Sequence, residues 1–487
     1  MDMPERITRR GWIERAGVLL GTPAILVRGA RGAAPEGRIE RFEHKGVLIR
    51  DCTIPGDTRK DDALPANPNG MQVSKDKWLL VYSTRKFRGV DDDCSIVYQL
   101  RAGAPDGRLI KEGMLVRSHD QWDPFGDGSR YIKQHGHPVL FGVPRGALID
   151  GKPAPNANVF VLKWRQVAKI LDRGKNALVR GPHDHEISRR TQSVGWLQFR
   201  LNDREDDLEI LQPEKQLRQK GYESGKAFCS RESVVWMNQT FTQAVPLNKE
   251  CIDWTDCNSF NDGTVAALKY VFNPKAGIYE WTETSPEIFE RANRASESSL
   301  LPYRGSWLIA GRRNRGVAWV RTDDPFSPTR RYAYPASPAN SCPLTAYLCP
   351  DGVVRLLTGD ATVSPHKKDR DPLYCWDIDP DSDFLSSNRR VLFDSVAAGL
   401  PIRPAASPKI DMGKLLPHSG SVQYVVHRVS VRSANLPYLG NNGEVVPSIP
   451  IINDQEKAVC AIYYGIITYR DAFPSPWDFA PTRRRRA

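Results

Sequence analysis

SESSLLPYRGSWLIAGR, residues 296–312, carries the pattern from which the fold follows. An apolar run closing at Tyr303 meets the tight turn Arg304-Gly305, and a second apolar run ends in a charged residue, Arg312. Run length and turn chemistry make this a β-hairpin. The same unit recurs along the chain. It is seen at Met71 to Arg85 (MQVSKDKWLLVYSTR), from His137 (HPVLFGVP), at Glu232 to Met237 (ESVVWM), from Cys342 (CPLTAYLCPDGVVRLL), and from Ile410 to Arg428 around Pro417-His-Ser-Gly420. The period is loose. Its longest gap holds a charged, helix-prone segment at about residues 165–225, with Asp203-Arg-Glu-Asp-Asp-Leu208 inside it, which reads as an insertion.

Six strand-rich units predict an all-β six-bladed propeller with that partly helical insertion, and five blades is the alternative count. A β-sandwich followed by a second β domain is the other architecture such runs allow. Composition agrees with strands and turns: 37 Gly and 37 Pro accompany 12 Trp, 16 Tyr and 16 Phe in 487 residues. A 40% hydrophobic content excludes wholesale disorder, and the absence of an 18-residue apolar run beyond the first 30 residues excludes a polytopic helical membrane protein.

Of the net charge of +12, +7 sits at the two ends and a modest +5 remains on the body. Residues 1–34 hold six Arg against three acids, and Arg483 to Arg486 close the chain. No basic helix or aromatic–basic module grips phosphate in the body, so nucleic acid is not the expected partner. Residues 7–34 place Arg9-Arg10 before a short apolar run from Gly17 to Val27 and a small-residue stretch near Ala34. This order resembles a twin-arginine export signal, too short to span a bilayer. The expected layout is a signal at 1–34, a propeller over 35–475 and a flexible basic tail at 476–487, in a protein exported to the periplasm or beyond, with no stable membrane insertion. Nine cysteines without a CxxC spacing read as buried thiols with one or two disulfides.

The hairpin at 296–312 resembles the sialidase segment in which a glutamate opens an inner strand and an arginine closes the next. Leu79 to Arg85, the acidic loop Val90-Asp-Asp-Asp93 and the strand from Ser95 are similar to the first sialidase blade. The likeness spans most of residues 60–430 and implies a six-bladed propeller and a glycoside hydrolase without a cofactor or metal. It makes Glu297 the family's glutamate, Arg312 an arginine of its carboxylate-binding triad and Arg370 a further triad member. Arg85 or Arg88 becomes the arginine before the acidic loop, and Asp92, among Asp91 to Asp93, the general acid/base. His137-Pro138 stands where the family often has a polar residue opening the second blade, which makes His135 and His137 candidates for sugar contact. No well-formed S-x-D-x-G-x-x-W box is present; Arg321-Thr-Asp-Asp-Pro-Phe326 is a degenerate trace.

Two departures bear on the substrate. Asn67 stands near the position of the triad's first arginine, and the sixth unit reads Ser407-Pro-Lys-Ile-Asp-Met412 where the family has its nucleophilic tyrosine. Three arginines and a neutral tyrosine suit a sugar with a carboxylate at its anomeric carbon. Without that carboxylate, an acidic nucleophile or base such as Asp411 becomes workable, paired with an acid on the opposite face, with Lys409 beside it. The expectation is a hydrolase of an oligo- or polysaccharide other than an ordinary sialoside. A polysaccharide lyase on the same fold and a non-catalytic glycan-binding propeller are the alternatives. His183-Asp-His-Glu186 has the composition of a metal cluster, yet alternating charge in a polar loop accounts for it equally, and no metal is assigned. The tryptophans Trp236, Trp254, Trp281 and Trp307 fit packing between blades better than sugar stacking.

Overall fold

Strands that are apolar on both sides cannot face water on either, so each sheet here must be covered twice. Trp78 to Ser83 and Val317 to Val320 are continuously buried, with no alternation of exposed and buried positions. In the computed structural model the described residues are 39–47, 64–85, 93–103, 107–122, 131–169, 171–172, 177–178, 193–217, 237–238, 245–247, 253–260, 265–290, 295–313, 315–336, 338, 344–349, 351–360, 362–365, 372–393, 424–430, 449–452, 458–469 and 478–479.

They form a β-propeller of five blades. The first comprises Leu64–Ser74, Lys77–Arg85, Asp93–Ala102 and Leu109–Val116 in that spatial order. The second runs through Tyr131–Val143, Val159–Lys169, Ser193–Leu201 and Leu208–Leu217, with His119–Trp122 added beside the first of these. In the third, the short strands Met237–Asn238 and Val245–Pro246 both pair with Asp253–Phe260, and Val265–Asn273 and Ile278–Thr284 follow. The fourth holds Ser296–Tyr303, Ser306–Arg313, Gly316–Thr322 and Arg331–Ala333. The fifth holds Leu344–Leu348, Val354–Thr358, Leu373–Asp379 and Leu385–Phe393. All are antiparallel meanders.

The core follows this order, one blade against the next. One apolar cluster joins the first three blades, a second joins the third to the fourth, and a third joins the fourth to the fifth. Two sandwiched sheets followed by a separate domain would not give such a chain of cores.

The six-unit expectation is corrected at its last member. Of Ile410 to Arg428, only the part from Tyr424 is described, and it belongs to no hairpin. Tyr424–Ser430 pairs in parallel with Ala458–Tyr469, which also pairs antiparallel with Ile39–Val47 from the other end of the chain. A strand whose partner lies so far along the chain has no local turn to reveal it. The export signal at 1–34 lies outside the described residues. Within the basic tail, Asp478–Phe479 pairs with Ala147–Ile149.

The helical reading of the supposed insertion is also corrected. Among the described residues there is no helix, and Ser193–Leu201 and Leu208–Leu217 are blade strands. The charged string between them is a tight turn with Glu205 at φ +53°. Asn202 holds it: its Oδ1 accepts from the Asp206 N–H at 3.1 Å, and its own N–H donates to the Asp207 carbonyl at 3.0 Å. The same device recurs between the last two strands of the next three blades. Asn273 Oδ1 accepts from Lys275 N–H (3.1 Å), Asp324 Oδ1 from Phe326 N–H (2.9 Å) and Asp379 Oδ1 from Asp381 N–H (3.0 Å). The last three are Asx turns, in which a short side chain replaces a backbone acceptor, and Asn202 does the same over a wider turn.

Two of these turns clasp the preceding blade through acids. From the second blade, Glu205 accepts from Ser74 (3.0 Å) and lies 3.8 Å from Lys77, while Asp207 accepts from Tyr98 (2.5 Å) and pairs with Lys111 (3.2 Å). From the fifth, Asp381 meets Tyr303 (3.2 Å), Arg304 (2.9 Å) and Arg321 (2.8 Å), while Phe384 stacks on Trp319 at 4.7 Å. Partial burial raises the Asp207 carboxyl, but hydrogen bonds from Tyr98, the Leu208 N–H and Lys111 outweigh it and hold the group below the usual range. The Arg321 hydrogen bond does the same for Asp381. Cys257, Cys349 and Cys375 are buried, and burial pushes the Cys375 thiol up to about 12.

Candidate active site at the fourth blade

Register places one end of every blade at a common rim. The first strand starts there and the second ends there, as the pairs Leu64 with Arg85, Ile132 with Lys169, Met237 with Phe260, Ser296 with Arg312, and Leu344 with Thr358 show. Ser299 locks two of these strands at one level. Its hydroxyl accepts from the Ala346 N–H at 3.0 Å and donates to the Ala346 carbonyl at 3.1 Å, joining the innermost strands of the fourth and fifth blades.

Glu297 stands two residues closer to the rim than Ser299, in a bulge where the register shifts between Ser296 and Ser299. Its φ is +49°, a left-handed conformation that a glutamate adopts only when its surroundings impose it. The residue is 2% exposed, and Oε2 lies 2.6 Å from Nη1 of Arg312, whose side chain remains a quarter exposed. A guanidinium beside a buried carboxylate favours its charged form, and the arginine keeps donors for a second oxygen. Gly311 makes the bulge possible: a Cβ there would sit 2.6 Å from the Ala295 Cβ and 2.8 Å from the Phe289 ring. The chain entering Glu297 therefore packs on bare backbone. Next to the pair, the Arg313 guanidinium lies 4.8 Å over the Tyr334 ring.

A carboxylate missed in the sequence stands at the same rim of the adjacent blade. Asp360, two residues beyond Val354–Thr358, is buried and accepts from the Thr362 N–H (2.9 Å) and hydroxyl (2.6 Å). Its signal was the position alone, since Thr358-Gly-Asp360 ends its strand as Ala310-Gly-Arg312 does. Two buried carboxylates, one held by arginine and one by a threonine, are the groups from which acid/base chemistry is built.

The other expected residues divide. Arg85 closes the second strand of the first blade opposite Asp93, at the rim. His135 is fully buried opposite Gln166 in the second blade, its ring edge-on to Trp164 at 6.1 Å, so it does not present itself to solvent. His137 lies on the same strand. Arg88, Asp92, Arg370, Lys409 and Asp411 lie outside the described residues. Asn67 lies where the register of the first strand shifts, between Ala66 and Asn69. No cluster of metal-ligating side chains occurs among the described residues.

A second ionic group, also missed, lies between blades. Lys163 of the second blade donates to Asp256 of the third, both at most 1% exposed, and the Tyr270 hydroxyl reaches the same carboxylate at 3.2 Å. Burial pushes the Asp256 carboxyl up against the pull of the ammonium, and burial and that carboxylate together push the Tyr270 phenol up. A lysine interrupting the apolar run Phe160-Val-Leu-Lys-Trp164 was the readable sign.

No family model matches the chain. No curated protein matches it either. Among solved structures it is similar to a Trypanosoma rangeli sialidase, at 9% identity with a TM-score of 0.47, covering 87% of this chain and 59% of that one. A Dyadobacter fermentans protein of unknown function aligns at 11% identity with a TM-score of 0.44, over 73% of this chain and 88% of that one. A Hadza microbial sialidase aligns at 11% identity with a TM-score of 0.44, over 72% and 61%. The chain thus spans about three fifths of the length of the Trypanosoma enzyme.

Proposed function

We propose that the protein is an exported glycoside hydrolase that cleaves an oligo- or polysaccharide other than an ordinary sialoside at the rim of its propeller. The observation that carries this reading is Glu297: buried, left-handed, set in a bulge and 2.6 Å from Arg312. Backbone strain at a buried charge persists where function requires the geometry. Glycoside hydrolysis needs one carboxyl protonated and another ionised. Glu297, paired with Arg312, serves as an ionised carboxylate beside the reacting sugar, Asp92 supplies the general acid, and Asp411 is the nucleophile or base on the opposite face. Arg85, Arg88, Arg370, Lys409 and His137 bind the sugar around them. Twin-arginine export at residues 1–34 would deliver the folded enzyme to the periplasm or beyond.

The test is reducing-end release from a panel of neutral, amino and acidic glycans. Glu297→Gln and Asp411→Asn should each abolish turnover while the melting temperature stays within about 2 °C of wild type. Full turnover in both variants sinks the proposal. So does ultraviolet absorbance from an unsaturated product, which would mark a lyase.

A further inference from the structure

Between the first and second blades, four buried polar atoms have no hydrogen-bond partner: Asn69 Oδ1, Trp164 Nε1 and both amide atoms of Gln166. Trp164 and Gln166 are fully buried and Asn69 is 8% exposed. Register brings them to one space. Trp164 and Gln166, two residues apart on a strand, share a face. It is the face of Phe160, which stacks on Phe199 at 5.6 Å. Lys163 and Phe141 point the other way, to Asp256 and Trp254 of the third blade. Trp164 and Gln166 therefore look toward the first blade.

In the first blade, Asn69 lies opposite Val81, and Val81 lies opposite Tyr98. Tyr98 reaches across to Asp207 of the second blade, so Asn69 shares the face turned that way. Asn69 sits on the first strand of its blade, and that strand packs against Tyr131–Val143 of the second. The facing surface also holds the buried imidazole of His135, opposite Gln166 and edge-on to Trp164; the rest is apolar, from Met71, Val81, Ile96, Leu140 and Leu162, with Ser83 nearer the rim.

The four atoms comprise two acceptors, Asn69 Oδ1 and Gln166 Oε1, and two donors, the indole N–H and the Gln166 amide. A mixed set of neutral donors and acceptors suits a small neutral oxygen that both donates and accepts. A cation would lack a counter-charge, because no carboxylate faces the space among the described residues. Buried polar groups of native proteins are satisfied by protein or by ordered water, and a water needs two to four such partners. We propose that this space is an internal hydration site, in which ordered water bridges Gln166 and Trp164 of the second blade to Asn69 of the first. The bridge stitches the two blades inside the rim, and the inference stands apart from the glycan reading.

Two measurements on the full chain test it. A crystal structure grown without polyols should show water-sized density about 2.7–3.2 Å from the Gln166 amide and from Trp164 Nε1. An empty space, or density too large for water, overturns the assignment. Independently, Gln166→Met keeps the side-chain length and removes both polar atoms. A hydrated site loses its anchor, and the melting temperature should fall by about 1–3 °C. A dry site would instead be relieved of two unsatisfied groups, so an unchanged or raised melting temperature contradicts the water.

Discussion

Replacing Lys163 with methionine strips the partner from a carboxylate that has no access to water. Both members of the pair are at most 1% exposed, and Asp256 keeps only the Tyr270 hydroxyl. Breaking a buried pair on one side costs about 3–5 kcal/mol, because a charge is left uncompensated. With an unfolding entropy of about 2.1 cal/mol/K per residue, a cooperative unit of roughly 450 residues loses on the order of 1 °C per kcal/mol, so Lys163→Met should melt about 3–5 °C lower. The double variant Lys163→Met/Asp256→Leu removes both charges and should recover most of that loss, since an apolar pair of similar volume is often no worse than a buried ion pair. Differential scanning calorimetry of the four proteins closes the cycle.

The pH dependence has a definite sign. Burial already raises the folded-state carboxyl of Asp256 above its ordinary value, and loss of the ammonium raises it further. An acid with a raised folded-state value binds its proton more readily when folded. Its penalty is full above the folded-state value and fades as pH falls toward the ordinary carboxylate range. The deficit of Lys163→Met should therefore shrink as pH falls from neutrality toward the ordinary carboxylate value of 3.8. A deficit below about 1 kcal/mol, or one equally large when Asp256 is already leucine, would refute the reasoning.

Three further outcomes follow from particular contacts. With φ at +49°, position 297 favours glycine over alanine, so Glu297→Gly should be about 1 kcal/mol more stable than Glu297→Ala in chemical denaturation, although both lose the ion pair. Gly311→Ala places a methyl 2.6 Å from the Ala295 Cβ; overpacking of about 1–3 kcal/mol and lower turnover on the substrate found by the glycan panel should appear together. Asp381, depressed by Arg321 and its neighbours, contributes stability that is present above the ordinary carboxylate value of 3.8 and lost as pH falls through its lower folded-state value. The group is half-exposed, so Asp381→Asn should cost only about 0.2–1 kcal/mol near pH 6, and calorimetry near pH 3 should find the difference smaller.

Much of the blade pattern was readable where a hairpin closes on itself. The units expected at 71–85, 298–312 and 342–357 hold the first two strands of the first, fourth and fifth blades. The third blade was expected from Glu232 to Met237, yet its continuous strands run from Asp253 to Thr284. The readable marker there was Asn273 at the turn between the last two strands, one of four Asx residues at equivalent places. Acidic Asx turns look like solvated helix in a linear reading, because charge density is visible and the clasp across to another blade is not. For the candidate site, Glu297 and Arg312 could be paired because they lie on two strands of one hairpin. Asp360 and the Lys163–Asp256 pair could not, since each acquires its meaning from a neighbouring blade.

What the chain determined by itself is therefore local: strand runs buried on both faces, two-residue turns such as Arg304-Gly305 with both residues at positive φ, and the side chains that cap those turns. Such features depend on sterics and hydrogen bonds within a few residues, and they travel with any short segment. Tertiary structure decided the count of blades, the parallel pairing of Tyr424–Ser430 with a strand near the end of the chain, and the burial that turns ordinary acids into candidates for chemistry. Those outcomes follow from contacts between residues far apart in sequence, whose energies are fixed only when desolvation and pairing occur together.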